Sequence, residues 1–405
     1  MSAENQSMAE EPTHKKWFII TLAIATFSTG LGNSIIALFA TDMAKTFFGS
    51  ATTVAVGSIT QLSTINLTAA VLGAIILSVL VIRFSHKRLL LAGTIFIVIS
   101  AAGSYFAPNI LALQLFYALE GAGSVIIGII AMTLVADSLP KNQRAKVVSY
   151  LFSIGAAVTL VMIPIVGIIT EMGGWRSGFS MLALPISIIA LVLVLLLIPS
   201  KRFKQDPVIK RNPYVEGFRQ IARNRSATAC LIANLLTIAG TEVAIFAIAF
   251  YRNQFGASTG LTVLIYETSI ILFVLAPLVS GRLVNRLGAK PVAVWTTFLA
   301  ACFTGVFFFV PNIWLAFILD MMHVWFAAMA IPAFAILILE QLPKYRATMF
   351  SLNSLFNNIG KVLAPLIGGA LLIFLPGTYG VVGLALGGTT ILGCLVLFFS
   401  VRESR

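Results

Sequence analysis

The sequence predicts an all-α membrane protein of twelve transmembrane helices in two pseudo-symmetric six-helix bundles. Three observations carry that expectation. Of 405 residues, 59% are hydrophobic and 10% charged, with a mean hydropathy of +0.99, far from a soluble globular domain. Apolar runs of about 20 residues, the length that spans a hydrocarbon core of about 30 Å, recur along almost the whole chain. The first and second halves of the chain also repeat one another.

The runs fall at 17–39, 55–82, 89–107, 110–135, 147–169, 179–199, 227–251, 260–282, 291–311, 314–339, 348–373 and 380–399. They are continuous, whereas a transmembrane barrel would show short alternating strands. The stretch before them, "MSAENQSMAEEPTHKK", is polar and expected to be irregular, and the first run is too long for a signal-peptide core. With alternate connections assigned to opposite sides, 23 of the 27 Lys and Arg residues fall on the side of both termini. Lys45, Arg176 and Arg252 fall on the other side, and Lys361 lies within a span. The positive-inside rule then makes both termini cytoplasmic, in a multi-pass protein of the cell membrane. The net charge of +13 is thus a topology signal, and no nucleic-acid partner is expected. Cys230, Cys302 and Cys394 sit in three different spans without metal-ligand spacing, and no phosphate-binding loop ending in Lys-Ser/Thr occurs. No metal, cofactor or ATPase activity is expected.

Between spans six and seven runs "SKRFKQDPVIKRNPYVEGFRQIARNR", basic and amphipathic from about Tyr214 to Arg223. It divides the chain into a tail (1–16), a first bundle (17–199), a cytoplasmic linker (200–225) and a second bundle (226–405). "ADSLPKNQRAK" after span four corresponds to "LEQLPKYRAT" after span ten: Asp137 matches Glu340 and Pro140 matches Pro343 at an offset of 203. Arg83 and Arg286 match at the same offset, and "IPIVGI" in span five corresponds to "APLIGG" in span eleven. A duplicated six-helix unit is the parallel-repeat architecture of secondary transporters.

At these residues the chain resembles the major facilitator superfamily over essentially its whole length. "GRLVNRLGAK" after span eight is similar to that family's G-x-x-x-D-R-x-G-R/K-K/R motif through Gly281, Arg286, Gly288 and Lys290, with Asn285 in place of the acid. "SVLVIRFSHKR" is a degenerate copy, with Ser78 and Ile82 where glycine and aspartate are usual, and it keeps Arg83, Lys87 and Arg88. "ADSLPKNQR" resembles the family's D-x-x-P-x-x-x-R through Asp137 and Arg144; Arg346 follows the matching turn of the second half. "GGWRSGF" before span six is also similar to members. Within the family the likeness is to drug/proton antiporters or related small-molecule permeases. Tyr117 stands where the antiporter-type signature has arginine, and span five keeps Pro164 and Gly167 of the antiporter motif. The resemblance implies a monomer working by alternating access, with Arg83, Asp137, Arg144, Gly281, Arg286, Gly288, Glu340 and Arg346 in topology and gating.

The resemblance also places spans one, four, seven and ten around a central cavity, flanked by two, five, eight and eleven. Their ionisable residues are Glu120, Glu242, Glu267, Asp320, His323 and Lys361. An ionisable group inside an apolar span is costly, which makes each a candidate for substrate or proton contact. Each also has a bland alternative: a satisfied structural acid for Glu120 and Glu242, a headgroup-level position for Glu267, a local i, i+3 pair for Asp320 and His323, a counter-ion role for Lys361. The 203 offset maps Tyr117 onto Asp320 and Glu120 onto His323. Asn353, Asn357 and Lys361 form one stripe at i, i+4 and i+8, and Asn234, Thr237 and Thr241 another. Gln61, Thr64 and Thr68 form a third, expected to be packing glue. Asn33 is a lone polar residue at comparable depth. Glu242 or Glu267, and next Asp320, are the expected partners of Lys361.

Carboxylates that pass between dry and wet surroundings can load and release protons, the chemistry a proton-coupled carrier needs. The leading expectation is proton-coupled efflux of a small amphiphilic or cationic compound, with Phe246, Phe250, Trp325 and Phe356 as apolar lining. Transport of a small organic anion held by Lys361 is the alternative. A non-transporting receptor or intramembrane enzyme is the third class, which detectable flux would eliminate.

Overall fold

Each half of the chain begins with a membrane span that is interrupted partway. In the computed structural model, which describes residues 3–138, 160–198 and 212–402, the first span is α1 (Ala3–Ser28) and α2 (Leu31–Phe48), separated at Thr29–Gly30. Spans two to four are α3 (Thr53–Arg83), α4 (His86–Phe106) and α5 (Ile110–Ser138). The described part of span five is α6 (Leu160–Gly173), and span six is α7 (Trp175–Leu197), which includes one π-helical turn at Phe179–Ala183. The amphipathic α8 (Asn212–Arg223) leads into span seven, itself two helices, α9 (Arg225–Thr241) and α10 (Ala244–Phe255). Spans eight to twelve are α11 (Thr259–Leu287), α12 (Ala289–Phe307), α13 (Ile313–Gln341), α14 (Arg346–Phe374) and α15 (Tyr379–Ser400).

Among the described residues, 11 spans are long and apolar enough to cross a bilayer, and α6 is a shorter apolar helix. Residues 147–159 of the expected fifth span, Arg144 and residues 200–211 of the linker lie outside the described residues. One expectation is corrected: the N-terminal stretch is helical from Ala3 rather than irregular. Its Ala, Glu, Gln, Met and Lys residues are good helix formers, and the first span offers them a finished turn to extend, so no new nucleus is needed.

Two compact units result: Met1–Ile36 with Ile65–Gln205, and Ala37–Thr64 with Asp206–Arg405. The repeat read from the sequence appears in their packing. In the first unit span three packs on spans four and six, and span one on span six; in the second, span nine packs on spans ten and twelve, and span seven on span twelve. The core of the first unit gathers Leu22, Leu90, Ile127, Ile130 and Val194; that of the second gathers Cys230, Ala293, Phe334, Leu337 and Leu397. Contact between α9 and α15 is close because Gly240 has no side chain: a Cβ there would collide with the Thr390 hydroxyl and the Leu386 carbonyl.

The segment Ala37–Thr64 belongs to the second unit through specific bonds. Gln61 Nε2 donates to the Pro365 carbonyl at 3.1 Å, the Gly377 N–H donates to Thr53 Oγ1 at 2.7 Å, and Asn253 Nδ2 donates to the Ala51 carbonyl at 3.1 Å. Gln61 thus serves as the packing glue expected of its stripe. Gly368 and Gly369 also permit close approach, lying against Phe246 and against Gln61 and Thr60 respectively. Among the glycines at positive φ, Gly256 (φ 62°) ends α10, and Gly288 (φ 92°) sits between α11 and α12, a backbone conformation that suits the glycine of the motif there.

Candidate functional site

The interruptions of spans one and seven create the polar sites, because a broken helix leaves backbone groups without intrahelical partners. In the first unit the break at Thr29–Gly30 makes Gly32 part of the first turn of α2. The carboxylate of Glu120, on α5, lies against Gly32 and occupies the room a side chain there would fill. Glu120 is 4% exposed. It thus places a buried carboxyl group beside the first turn of α2. Around it, Tyr117 Oη donates to Asn33 Oδ1 at 2.5 Å, and Asn66 Nδ2 donates to the Tyr117 carbonyl at 3.0 Å. Gly121 lies directly against the Asn66 carbonyl. Asn33, Tyr117 and Glu120 therefore form one cluster, joined by Asn66, which sequence reasoning missed.

In the second unit the break falls at Glu242 (φ −82°, ψ 69°) and Val243. Phe39, 203 residues earlier, is also non-helical (φ −119°, ψ 17°), so the two first spans carry a deviation at equivalent positions. A cavity of about 370 Å³ opens at the second break, bringing together Glu242, Asp320, His323, Asn357 and Lys361 with Tyr266 and Ser269. Lys361 Nζ stands 3.9 Å from Glu242 Oε1, one of the two pairings expected, and both side chains are 45% exposed. At that length the two charges attract without a tight hydrogen bond. Asn357 and Asn353 continue the stripe: both Oδ1 atoms accept from Asn234 Nδ2, at 2.7 and 2.6 Å.

Asp320 and His323 are buried and take separate partners. Asp320 Oδ2 accepts from Tyr251 Oη at 3.3 Å. His323 braces the break, with Nε2 3.2 Å from the Thr241 carbonyl. Its Nδ1 is 2.7 Å from Thr304 Oγ1. The apolar lining comes from residues such as Ile238, Ile248, Ile265, Phe273 and Ile331. Phe246, Phe250, Trp325 and Phe356, expected in that role, do not line this cavity. Phe246 and Phe250 share the other face of α10: the first packs on Gly368, the second in an aromatic cluster with Phe255, Phe307, Phe308 and Tyr379. Trp325 packs against Ala276, Ala328 and Met329, and Phe356 against the core of the second unit. Glu267 is partly buried and is not among the residues lining the cavity.

At the far end of α10 a second charged site appears. Arg252 pairs with Asp42 through a short contact, donates to the Leu38 carbonyl at 3.1 Å, and lies over the Phe39 ring at 5.7 Å. Its side chain is 11% exposed. The Leu38 carbonyl adjoins the distortion at Phe39, so the guanidinium serves backbone that the helix serves poorly. Sequence reasoning missed this clamp; the signal was Asp42 and Arg252, isolated charges on the side poor in Lys and Arg. Arg176 of "GGWRSGF" likewise serves backbone, donating to the Tyr105 and Ala107 carbonyls at 3.2 and 2.8 Å at the end of α4. Of the motif residues, Arg83 and Arg286 are exposed near the ends of α3 and α11, Glu340 is partly buried near the end of α13, and Gly281 has open space beside it. Asp137 lies on α5 and Arg346 opens α14.

A family model described as Major Facilitator Superfamily matches residues 22–267 and 230–405. A Bacillus subtilis (strain 168) protein described as an uncharacterized MFS-type transporter, YtbD, is 26% identical over 225 residues, 55% of this chain. That match spans about half of the relative's length (54%). Among solved structures, the nucleoside transporter NupG superposes with a TM-score of 0.75 at 15% identity, covering 96% of this chain and 100% of that one. A D-xylose-proton symporter gives 0.73 at 15% identity, covering 96% and 98%. A bacterial homologue of the human lysosomal transporter Spinster, in an inward-facing and occupied conformation, gives 0.73 at 15% identity, covering 96% and 97%. At these identities the structural likeness establishes the fold.

Proposed function

Because the chain belongs to the major facilitator superfamily, a family of membrane transporters rather than enzymes, we propose that it is a proton-coupled secondary transporter that exports a small amphiphilic or cationic compound by alternating access. The observation that supports this most is the cavity at the break of span seven: an apolar chamber of about 370 Å³ holding two acids, Glu242 and Asp320, against one lysine. A cationic group entering it competes with Lys361 for Glu242, a contact that is long and open enough to be exchanged. The apolar walls take the remainder of the molecule. Glu120 and Glu242 carry or gate the transported proton: each is an acid at a helix interruption, where small backbone shifts change what the carboxylate touches. A carried proton shifts the conformational balance only if the two states hold it differently.

The half-exposed ammonium of Lys361 supports a second reading, transport of a small organic anion that displaces Glu242 and binds Lys361. Purified protein in proteoliposomes separates the two. Export of a cation predicts pH-gradient-driven flux inhibited by lipophilic cations; the second reading predicts inhibition by carboxylates. Glu120→Gln and Glu242→Gln should each abolish gradient-driven flux while leaving part of the downhill exchange. Unchanged gradient-driven flux in both variants removes these acids from the coupling.

A further inference from the structure

A second cavity in the second unit lies at the start of α9 and the end of α15, away from the helix break. It is an open groove of about 1040 Å³. Arg223, Arg225 and Arg402 line it, all exposed, and among the described residues none of the three makes an ion pair. The groove is framed rigidly. Ser226 Oγ donates to Gln341 Oε1 at 2.5 Å and accepts from the Arg402 backbone N–H at 2.8 Å, while Gln341 Nε2 donates to the Arg402 carbonyl at 2.9 Å. The first N–H groups of α9 are already capped by Asn224, so side chains supply the positive charge here. Beside the arginines the lining is apolar: Ile232 is 39% exposed and Phe399 76%, and Val396 joins them.

Three unpaired guanidinium groups beside exposed apolar side chains at the end of two spans match one chemistry, a phosphate attached to acyl chains. We propose that this groove binds the headgroup of an anionic phospholipid, with the phosphate on Arg223, Arg225 and Arg402 and the acyl chains along Ile232, Val396 and Phe399. The amphipathic α8 supplies Arg223 and leads directly into α9. The groove is at the chain end assigned to the Lys- and Arg-rich side, where anionic lipid attracts basic residues. A free phosphate would use the arginines and leave the apolar wall idle; the lipid uses both. Glu340, also on the groove, opposes the anion and sets the limit of affinity.

Native mass spectrometry of the full-length protein tests this with phosphatidylglycerol, phosphatidylethanolamine and inorganic phosphate as probes. Phosphatidylglycerol should be retained in preference to phosphatidylethanolamine, and millimolar phosphate should not displace it. At about fivefold per basic residue, Arg223→Gln, Arg225→Gln and Arg402→Gln together should weaken phosphatidylglycerol binding roughly a hundredfold. Each single variant, changing one exposed side chain, should weaken it about fivefold, and Glu340→Gln should tighten it by a similar factor. Equal retention of the two lipids, or unchanged binding in the arginine variants, overturns the proposal. Displacement of the lipid by inorganic phosphate overturns it in favour of a free-anion site.

Discussion

Replacing Lys361 by methionine asks whether the lysine holds the second unit together or works on cargo. At 3.9 Å from Glu242 the Coulomb attraction is about 1 kcal/mol in water and about 4 kcal/mol at an effective dielectric of 20. Both side chains are 45% exposed to the cavity, which puts the pair near the first limit, and ion pairs of that exposure contribute at most about 1 kcal/mol. Lys361→Met, Glu242→Gln and the double variant should therefore melt within about 2 °C of the parent protein. Gradient-driven flux in proteoliposomes should nevertheless be lost in all three, because the exchangeable charge is what cargo meets. A sealed structural pair gives the opposite pattern. Each single variant would then strand an unpaired charge at about 3–5 kcal/mol, and the double variant would regain both stability and flux. That outcome would refute the reasoning, since it would make Lys361 a counter-ion alone.

Three further outcomes follow from geometry. Gly240→Ala drives a Cβ onto Thr390 and the Leu386 carbonyl and should cost about 1–3 kcal/mol, read as a lowered melting temperature; no change would mean that α9 and α15 are not in contact. Arg252→Gln should destabilise by about 1–3 kcal/mol, less than for a fully sealed pair because Asp42 is 29% exposed. Asp42→Asn added to it should recover part of that loss, and an additive double variant would show the clamp to be incidental. His323→Phe removes one of two donors to the Thr241 carbonyl, which the Val243 N–H still reaches at 3.0 Å, so it should cost about 0.5–1.5 kcal/mol and speed amide hydrogen exchange around residues 241–247; unchanged protection there would assign the brace to another group.

The span pattern, the two-fold repeat and the pairing of Lys361 with Glu242 were legible because each rests on periodicity or on the cost of a charge in an apolar segment. The same logic located Glu120, Asp320 and His323. It did not show what they touch. Tyr251 and Asn66 look like ordinary residues of their spans, and only the approach of neighbouring helices makes them partners of Asp320 and Tyr117. Phe246 and Phe250 were misassigned because the break at Glu242–Val243 resets the helical phase, so that Ile248 rather than either phenylalanine faces the cavity. The break itself has no proline or paired glycines at Glu242 to announce it. Glu267 was placed by its span and not by the turn it occupies.

The twelve residues of α10 extend about 18 Å, with a non-helical joint at Glu242–Val243 and a left-handed glycine at Gly256. A rod with a joint at each end can tilt as one piece without breaking its own hydrogen bonds. Its near end adjoins the acid that Lys361 attends; its far end carries the arginine that grips Asp42. A shift of such a rod along its own axis moves the cavity end and the clamp end together. A glycine pair placed midway would let the two ends move separately, with both charged sites intact.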